Sequence, residues 1–228
     1  MKELHLLHEE IIVCQQCPRL REYCAGIGVT KVRRYQDQEY WARPVPGFGD
    51  PRARLFILGL APAAHGANRT GRMFTGDDSG VWLYGVLHQY GFASQPETVR
   101  REDGMVLTGA YIGNAVRCAP PDNKPTPGEQ DACRPFLARE LALLGQVRVV
   151  LALGKIAFDS YLRLLRQQGH EVGRPAFAHG AEHRFADPAL PLLLCSYHPS
   201  RQNTNTGKLT RPMWEAIFAR ARELSDLK

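Results

Sequence analysis

Two pairs of cysteines have the spacing of a metal site. Two residues separate Cys14 from Cys17, and fourteen separate Cys118 from Cys133. A two-residue gap lets two thiolates bind one metal ion or cluster from a single turn, and two further cysteines complete a set of four ligands. Spacing alone fits zinc and an iron–sulfur cluster equally well, with two buried, unligated pairs as a third possibility. We therefore expect a four-cysteine site.

A second concentration of chemically useful side chains lies in a long loop, residues 59–77. The loop follows the apolar run 55–58 and contains four glycines. A short apolar run before such a loop is typical of a buried strand that delivers a functional loop to the edge of a sheet. Glycines let the backbone approach a ligand closely, and Asn68, Arg69 and Arg72 supply polar groups. This is the candidate active-site loop, and the alternative is an ordinary surface connection.

Four apolar runs alternate with helical patterns along the chain, and these elements must position the polar residues. The runs are 55–58, 107–116, 147–153 and 190–197. Parallel strands need crossover connections, usually helices that cover both faces of the sheet. The alternation therefore predicts an α/β fold, with three α/β/α layers around a central four-stranded parallel sheet, in a single domain over residues 1–228.

Polar residues lie at or beyond the ends of three of these runs. The loop 59–77, Asn114 and the segment that begins at His198 each lie at the carboxyl end of an expected strand. In open α/β sheets, ligands bind beyond the carboxyl ends of the strands. We therefore expect these three stretches to converge on one site.

The composition favours an intracellular protein with an anionic partner. The formal charge is +6 and the isoelectric point is about 9.1, which suggests a polyanion without establishing one. The chain has no run of eighteen apolar residues, and its N-terminus lacks the basic, apolar and small-residue regions of a secretory signal. We expect a cytoplasmic protein with no membrane partner. In that reducing compartment, clustered cysteines bind metal more readily than they form disulfides.

The stretch 66–73 has the glycine spacing of a phosphate-binding P-loop. The match fails at the residues that matter, because Arg72 replaces the lysine and Met73 replaces the magnesium-binding serine or threonine. Gly66 also lies too far beyond the expected strand. We therefore expect no nucleotide cofactor.

Several motifs together resemble those of the uracil-DNA glycosylase superfamily. They are Gly59-Leu60-Ala61-Pro62 after the first strand, Phe74 in the same loop, Asn114 in the second strand region, and His198-Pro199-Ser200 after the fourth strand. The four cysteines and the extended loops 63–77 and 201–209 are similar to those of the iron–sulfur enzymes of family 5, type b. The resemblance covers nearly the whole chain. No single motif is specific, but their joint order and spacing are.

This resemblance implies the removal of deaminated bases from DNA: uracil, and also hypoxanthine and xanthine. It implies a [4Fe–4S] cluster, with zinc less favoured, held by Cys14, Cys17, Cys118 and Cys133. We expect a monomeric, nucleoid-associated enzyme that leaves an abasic site. The competing function is a noncatalytic zinc- or iron–sulfur-dependent nucleic-acid-binding protein, which would leave the convergent motifs without a purpose.

The resemblance also assigns roles to individual residues. Such enzymes rotate the target nucleotide out of the duplex into a pocket. Gly59, Ala61, Phe74 and Asn114 would bind the base. Phe74 would stack on its ring, and the Asn114 amide would pair with O4 and N3–H of uracil. His198 would donate a hydrogen bond to the base oxygen as negative charge develops there.

Ala61 departs from related families, several of which carry Asp or Asn at this position to orient the attacking water. Another group must then orient the water, and we expect Asn68 or a DNA phosphate to do so. An amide can orient water but cannot take its proton.

DNA contacts are expected from six polar residues in the two long loops. They are Arg69, Arg72, Arg201, Gln202, Asn203 and Lys208. Cations of this set can neutralise phosphates, and residues of the final loop can enter the duplex.

Overall fold

A mixed sheet of six strands lies at the centre of the molecule. The computed structural model describes residues 1–226. The strands are β1 (Phe48–Gly49), β2 (Leu55–Gly59), β3 (Ala110–Asn114), β4 (Val149–Leu153), β5 (Glu182–His183) and β6 (Leu192–Ser196). Their spatial order is β1-β3-β2-β4-β6-β5.

Helices surround this sheet. They are α1 (Lys2–Ile12), α2 (Pro18–Thr30), α3 (Ala67–Thr70), α4 (Asp78–Gln89), α5 (Pro127–Leu143), α6 (Lys155–Gln167), α7 (Arg201–Asn205) and α8 (Arg211–Asp226). None of the helices described in residues 1–226 is both long enough and apolar enough to cross a bilayer.

Four of the strands match the prediction, and two correct it. Strands β3, β2, β4 and β6 are parallel neighbours, and every residue in them is buried. The two-residue strands β1 and β5 pair antiparallel with β3 and β6 and close the two edges. The sheet is therefore not purely parallel. A two-residue strand is too short to produce an apolar run or an alternating pattern, so no sequence signal announced it.

Successive residues of the central strands enter two separate cores. In β2, Leu55 and Ile57 belong to a core shared with α4 and α8, whereas Phe56 and Leu58 belong to a core shared with α1, α5 and α6. This alternation follows from the two-residue period of a strand. The result is the expected arrangement of three layers, with helices on both faces of the sheet.

A capping box starts α5 and also joins it to α2. The Thr126 hydroxyl accepts from the Glu129 N–H (3.2 Å), and the Glu129 carboxylate accepts from the Thr126 N–H (2.7 Å). Arg19 of α2 donates two hydrogen bonds to the same carboxylate (2.7 and 2.8 Å). The helix that follows Cys17 is thereby held against the helix that carries Cys133.

A buried ion pair fixes the helical layer against β3. Arg117 Nη2 lies 2.7 Å from Glu140 Oε2, and both side chains are almost fully buried. The Tyr111 hydroxyl donates to the same carboxylate (2.9 Å) and lies 2.7 Å from His8 Nε2. Breaking such a pair from one side costs about 3–5 kcal/mol, because the remaining charge stays buried. The network therefore anchors α1 and α5 beside the strand that ends at Asn114.

Candidate active site

Residues far apart in the chain meet beyond the carboxyl ends of the parallel strands. Gly59 ends β2 directly opposite Asn114, which ends β3. A Cβ atom at Gly59 would collide with the Asn114 amide oxygen and come within 3.0 Å of the Phe74 ring. The rings of Phe74 and His198 are stacked, with centroids 6.0 Å apart and an interplanar angle of 30°. The structure thus brings Gly59, Phe74, Asn114 and His198 into one group, which we call the ring–amide site.

The backbone at Phe74 has an uncommon conformation that places this residue. Its φ is +54°, in the left-handed region that costs a residue with a Cβ about 1–2 kcal/mol. The preceding carbonyl, of Met73, accepts hydrogen bonds from the hydroxyls of Tyr84 (2.9 Å) and Thr75 (3.3 Å). These buried contacts hold the turn in its strained form.

Asn114 has an unused hydrogen-bond acceptor. The side chain is only 2% exposed, and its Nδ2 donates to the sulfur of Met73 (2.9 Å). Its Oδ1 is buried and has no hydrogen-bond partner among the described residues. A buried carbonyl left in this state costs about 1–3 kcal/mol. The site therefore holds an acceptor that is ready for an N–H group of a ligand.

His198 is held by its backbone and carries no charge at neutral pH. Its carbonyl accepts from the Asn203 side-chain amide (2.8 Å) and from the Ser200 N–H (2.8 Å). Burial lowers the pKa of His198 to about 4, because the imidazolium form would lose its hydration. Its imidazole forms no hydrogen bond with another residue in the described part of the chain. A neutral imidazole can still donate one N–H to a ligand.

Asn68, expected to orient water, makes contacts away from the ring–amide site. It is fully buried, and its Nδ2 donates to the carbonyls of Cys24 (3.3 Å) and Ala64 (3.4 Å). Its Oδ1 is buried without a partner within residues 1–226. Ala61 packs against the cysteine-rich cluster beside α2. The observed contacts of Asn68 join its loop to α2, and its role toward water stays a prediction.

Asp77 is a candidate that the sequence patterns did not bring forward. It caps α4, since its Oδ1 accepts from the Gly80 N–H (2.8 Å), and its Oδ2 lies so close to Gly66 that a Cβ there would collide. Burial raises the pKa of Asp77. The Ser79 hydroxyl donates to the Pro199 carbonyl (3.1 Å), which joins this helix start to the His198 loop. An aspartate just before a helical pattern is an N-cap signal, and it could have drawn attention to this position.

Arg69 and Arg72, from which the sequence predicts DNA contacts, lie inside the protein, and that role stays a prediction. They are 7% and 4% exposed. Arg69 donates to the carbonyls of His65 (2.8 Å) and Gly76 (3.0 Å). Arg72 forms an ion pair with Asp103 (2.5 Å). In a glycine-rich loop many carbonyls lack regular partners, so both guanidinium groups turn inward to satisfy them.

The exposed arginines beside this loop belong to a neighbouring turn. Arg72 donates to the carbonyls of Arg100 (2.6 Å) and Arg101 (3.0 Å) and so stabilises the turn that contains these two residues. The guanidinium of Arg101 lies 4.5 Å from the centre of the Trp41 ring, and that of Arg43 lies 5.6 Å away. Together with residues 38–40 these side chains line a groove of about 490 Å³. Neither Arg43, Arg100 nor Arg101 forms an ion pair with any residue that the structure describes.

The final loop presents a second polar surface next to His198. Arg201, Gln202 and Lys208 are exposed, and Arg201 pairs with Asp78 at the start of α4. The Lys208 ammonium lies 4.9 Å from the centre of the Tyr197 ring. Asn203 differs from these three, because its side chain supports the His198 carbonyl.

The cysteines expected to bind metal lie in two adjoining clusters. Cys17, Cys118 and Cys133 share one buried cluster with Cys24, and Cys14 packs against the core beside α1. Burial raises the pKa of Cys133 to about 12. No three His, Cys, Asp or Glu side chains within residues 1–226 have the spacing to hold one metal ion. The four cysteines of a [4Fe–4S] cluster need no such spacing, because each of them binds a different iron atom.

Two arginines beside these thiols have unused donors. Arg21 Nη1 lies 3.9 Å from the Cys118 sulfur, and its Nε is buried without a partner in the part of the chain that the structure describes. Arg117 Nε is likewise buried, with no partner in residues 1–226, and the charge of Arg117 opposes the rise in the pKa of Cys133. Both guanidinium groups would favour negatively charged sulfur at this place. The donor set and its surroundings therefore fit an anionic metal–sulfur group.

Comparisons with known proteins identify relatives that cover nearly the whole chain. The model of the uracil DNA glycosylase superfamily matches residues 46–222. A type-5 uracil-DNA glycosylase of Thermus thermophilus is 48% identical over 96% of this chain and 97% of its own length. Type-5 uracil-DNA glycosylases of Mycobacterium bovis and Pyrobaculum aerophilum are 47% and 42% identical, over 97% and 92% of this chain and 82% and 88% of their own lengths.

The low pKa of His198 predicts a specific pH dependence. The imidazole should stay neutral from pH 8 down to pH 5, with a titration step near pH 4. Because the unfolded chain takes up this proton near pH 6.5, the folded state should lose stability as the pH falls from 6.5 to 4, relative to His198→Gln. Nuclear magnetic resonance of the His198 ring, assigned with that variant, measures the step. A titration midpoint near 6.5 would contradict the burial of this ring.

Proposed function

Because the chain belongs to the uracil-DNA glycosylase superfamily, we propose that the ring–amide site receives a uracil rotated out of DNA and supports hydrolysis of its N-glycosidic bond. The protein is a DNA-repair glycosylase that excises uracil. The observation that carries the assignment of the site is the meeting of Phe74, Asn114 and His198, with an unpartnered amide oxygen among them. The noncatalytic alternative gives these residues no task.

Recognition of uracil uses the ring and the amide. A base inside a duplex is out of reach, so it must leave the stack before an enzyme can act on it. The face of Phe74 offers a stacking surface for the flipped ring. The Asn114 Oδ1 accepts from uracil N3–H, and the second Nδ2 hydrogen donates to O4. Gly59 leaves the space that a side chain would otherwise take from the base.

The chemical step places negative charge on the base. When the bond between C1′ and N1 breaks, its electron pair goes to uracil, and positive charge develops on the sugar. His198 donates its N–H to the base O2 and so stabilises the departing anion. Because burial keeps the pKa of His198 at about 4, the donor is a neutral imidazole. No positive charge has to be held in the buried site between reactions.

Water then adds to C1′ and must lose a proton. Asn68 can orient that water but cannot accept the proton, and a DNA phosphate is the other group expected from the sequence. Asp77 adds a carboxylate at the start of α4, linked by Ser79 to the His198 loop. A general base works best when its pKa lies near the operating pH, and burial shifts the pKa of Asp77 upward, in that direction. We propose Asp77 as a second candidate for this role.

The same amide could also bind two other deaminated bases. Uracil, hypoxanthine and xanthine each present an N–H beside a carbonyl, whereas cytosine and adenine present an unprotonated ring nitrogen beside an amino group. An Asn114 amide with Oδ1 toward the ring nitrogen therefore forms two hydrogen bonds with each deaminated base. It faces mismatched groups on cytosine and adenine, the bases from which uracil and hypoxanthine arise. Guanine shares the edge of xanthine, so this amide does not distinguish them. We propose hypoxanthine and xanthine as further substrates.

The first test is base release. Purified protein should release uracil from single- and double-stranded DNA and leave an abasic site, and hypoxanthine and xanthine from duplexes. His198→Ala should lower the single-turnover rate by about 10²–10³-fold, because the donor to the leaving anion is removed. Cleavage of a labelled oligonucleotide at the abasic site measures the rate, with His5→Ala on the exposed face of α1 as the control. An unchanged rate in His198→Ala would reject the role.

DNA binding should depend on exposed rather than buried arginines. We propose that Arg201, Gln202 and Lys208, together with Arg43 and Arg101 of the Trp41 groove, contact the DNA strand. Arg101→Gln and Arg201→Gln should each weaken binding and reduce the slope of log K against log salt by about 0.9 for each phosphate that the variant no longer neutralises. Arg52→Gln, at the opposite end of β2, is the matched control. Equal slopes in all three variants would contradict the proposed surface.

Cys14, Cys17, Cys118 and Cys133 would hold the metal–sulfur group, and we propose that it is a [4Fe–4S] cluster. The unpartnered Nε donors of Arg21 and Arg117 support an anionic group of this kind. Hydrolysis transfers no electron, so the cluster would serve to hold its segment in shape. The cytoplasmic location, the association with the nucleoid and the monomeric state stay predictions.

Metal analysis tests the cofactor. Protein purified without oxygen should be brown and contain about four iron atoms and four acid-labile sulfides per chain. Cys133→Ser should lose most of this iron and its blue-light absorption. Cys195→Ser, in the buried strand β6 and outside the group, should keep both. Colourless protein with one zinc ion per chain would overturn the assignment.

A further inference from the structure

We infer that Met73 sets the orientation of the Asn114 amide and thereby the discrimination between uracil and cytosine. The inference rests on the proposed function, in which Asn114 reads the base. Met73 is fully buried, and its sulfur accepts a hydrogen bond from Asn114 Nδ2 (2.9 Å). The other end of the same amide, Oδ1, has no partner among the described residues.

A thioether distinguishes the two ends of an amide. The sulfur of methionine can accept a weak hydrogen bond, but it has no hydrogen to donate. It therefore stabilises the amide only when Nδ2 faces it. If the amide turned by 180°, the carbonyl oxygen would face the sulfur lone pairs, and the Nδ2 hydrogen bond would break. Met73 thus favours the orientation that leaves Oδ1 free for the base.

The two orientations read different bases. With Oδ1 toward the ring nitrogen, the amide accepts from N3–H of uracil and donates to O4. With Nδ2 toward the ring nitrogen, it would donate to N3 of cytosine and accept from the N4 amino group. An amide that can rotate freely would therefore lose part of its preference for uracil. Cytosine is abundant in DNA, so this preference protects undamaged sequence.

The backbone of Met73, the residue whose sulfur is the acceptor, is held in place by buried hydrogen bonds. The Met73 carbonyl is held by the buried hydroxyls of Tyr84 (2.9 Å) and Thr75 (3.3 Å). The next residue, Phe74, adopts the left-handed conformation that turns the chain at this point. Met73 is therefore a positioning residue: it acts on the base through Asn114.

Met73→Leu removes the acceptor and leaves a side chain of similar volume. In single-turnover assays we expect about a tenfold slower release of uracil, the effect of removing one buried hydrogen bond. We also expect the rate of cytosine release to rise above that of the unaltered protein. The ratio of the uracil rate to the cytosine rate should therefore fall by more than the tenfold loss in the uracil rate. Met105→Leu, a buried methionine of the same core, should change neither value. Binding to abasic-site DNA, which has no base to read, should be equal in all three proteins.

Two outcomes separate this inference from the function on which it rests. If Asn114→Ala releases uracil at the unaltered rate, Asn114 does not read the base and the proposed site is wrong. If Asn114→Ala is inactive while Met73→Leu keeps the original uracil-to-cytosine ratio, only the role of Met73 is overturned.

A measurement on the unaltered protein decides the matter if the leucine variant does not fold. One Nδ2 proton of Asn114 should exchange slowly with solvent and show a nuclear Overhauser contact to the Met73 methyl group. Fast exchange of both protons, with no such contact, would overturn the inference.

Discussion

The close approach of two parallel strands at their carboxyl ends is the constraint on which the site depends. Gly59 stands opposite Asn114 in the register of β2 and β3, and only the absence of a Cβ lets the amide and the Phe74 ring occupy the space above it. The glycine loop begins at that residue and returns with Phe74, while β6 delivers His198 from the other side. A sheet register set by buried apolar strands thus determines where the polar chemistry can take place.

The sequence predicted the framework of this site better than the use of its charged residues. Apolar runs located the four parallel strands, and the rule that ligands bind beyond their carboxyl ends brought Asn114 and His198 to one place. The short edge strands were not predicted, because a strand of two residues is too short to show an apolar run or an alternating pattern. The buried positions of Arg69 and Arg72 were not predicted, because an arginine in a loop looks the same in sequence whether its guanidinium faces solvent or a neighbouring carbonyl. Asp77 was overlooked, although an aspartate just before a helical pattern is an N-cap signal.

Three features that prepare the site for its substrate have an energetic cost in the protein without bound DNA. Asn114 has a buried oxygen without a partner among the residues that the structure describes, Phe74 has a strained backbone, and His198 has an uncharged ring whose pKa is about 4. The first two lower the stability of the empty fold, since buried polar groups without partners and left-handed side chains are unfavourable. The third does so only as the pH falls from 6.5 to 4, where the unfolded chain takes up the proton. The buried ion pair of Arg117 and Glu140 lies on the adjoining strand and helix and holds the surrounding structure firm.

The inward position of Arg72 has a mechanical consequence. One end of this residue belongs to the loop that carries Phe74, and its guanidinium grips the turn on which Arg100 and Arg101 stand. Thr98 joins the same turn to the loop a second time, because its carbonyl accepts from the Gly76 N–H (3.3 Å) and its hydroxyl lies 3.3 Å from that of Thr75. A displacement of the exposed turn that carries Arg100 and Arg101 would therefore have to break these hydrogen bonds or shift the loop that carries Phe74.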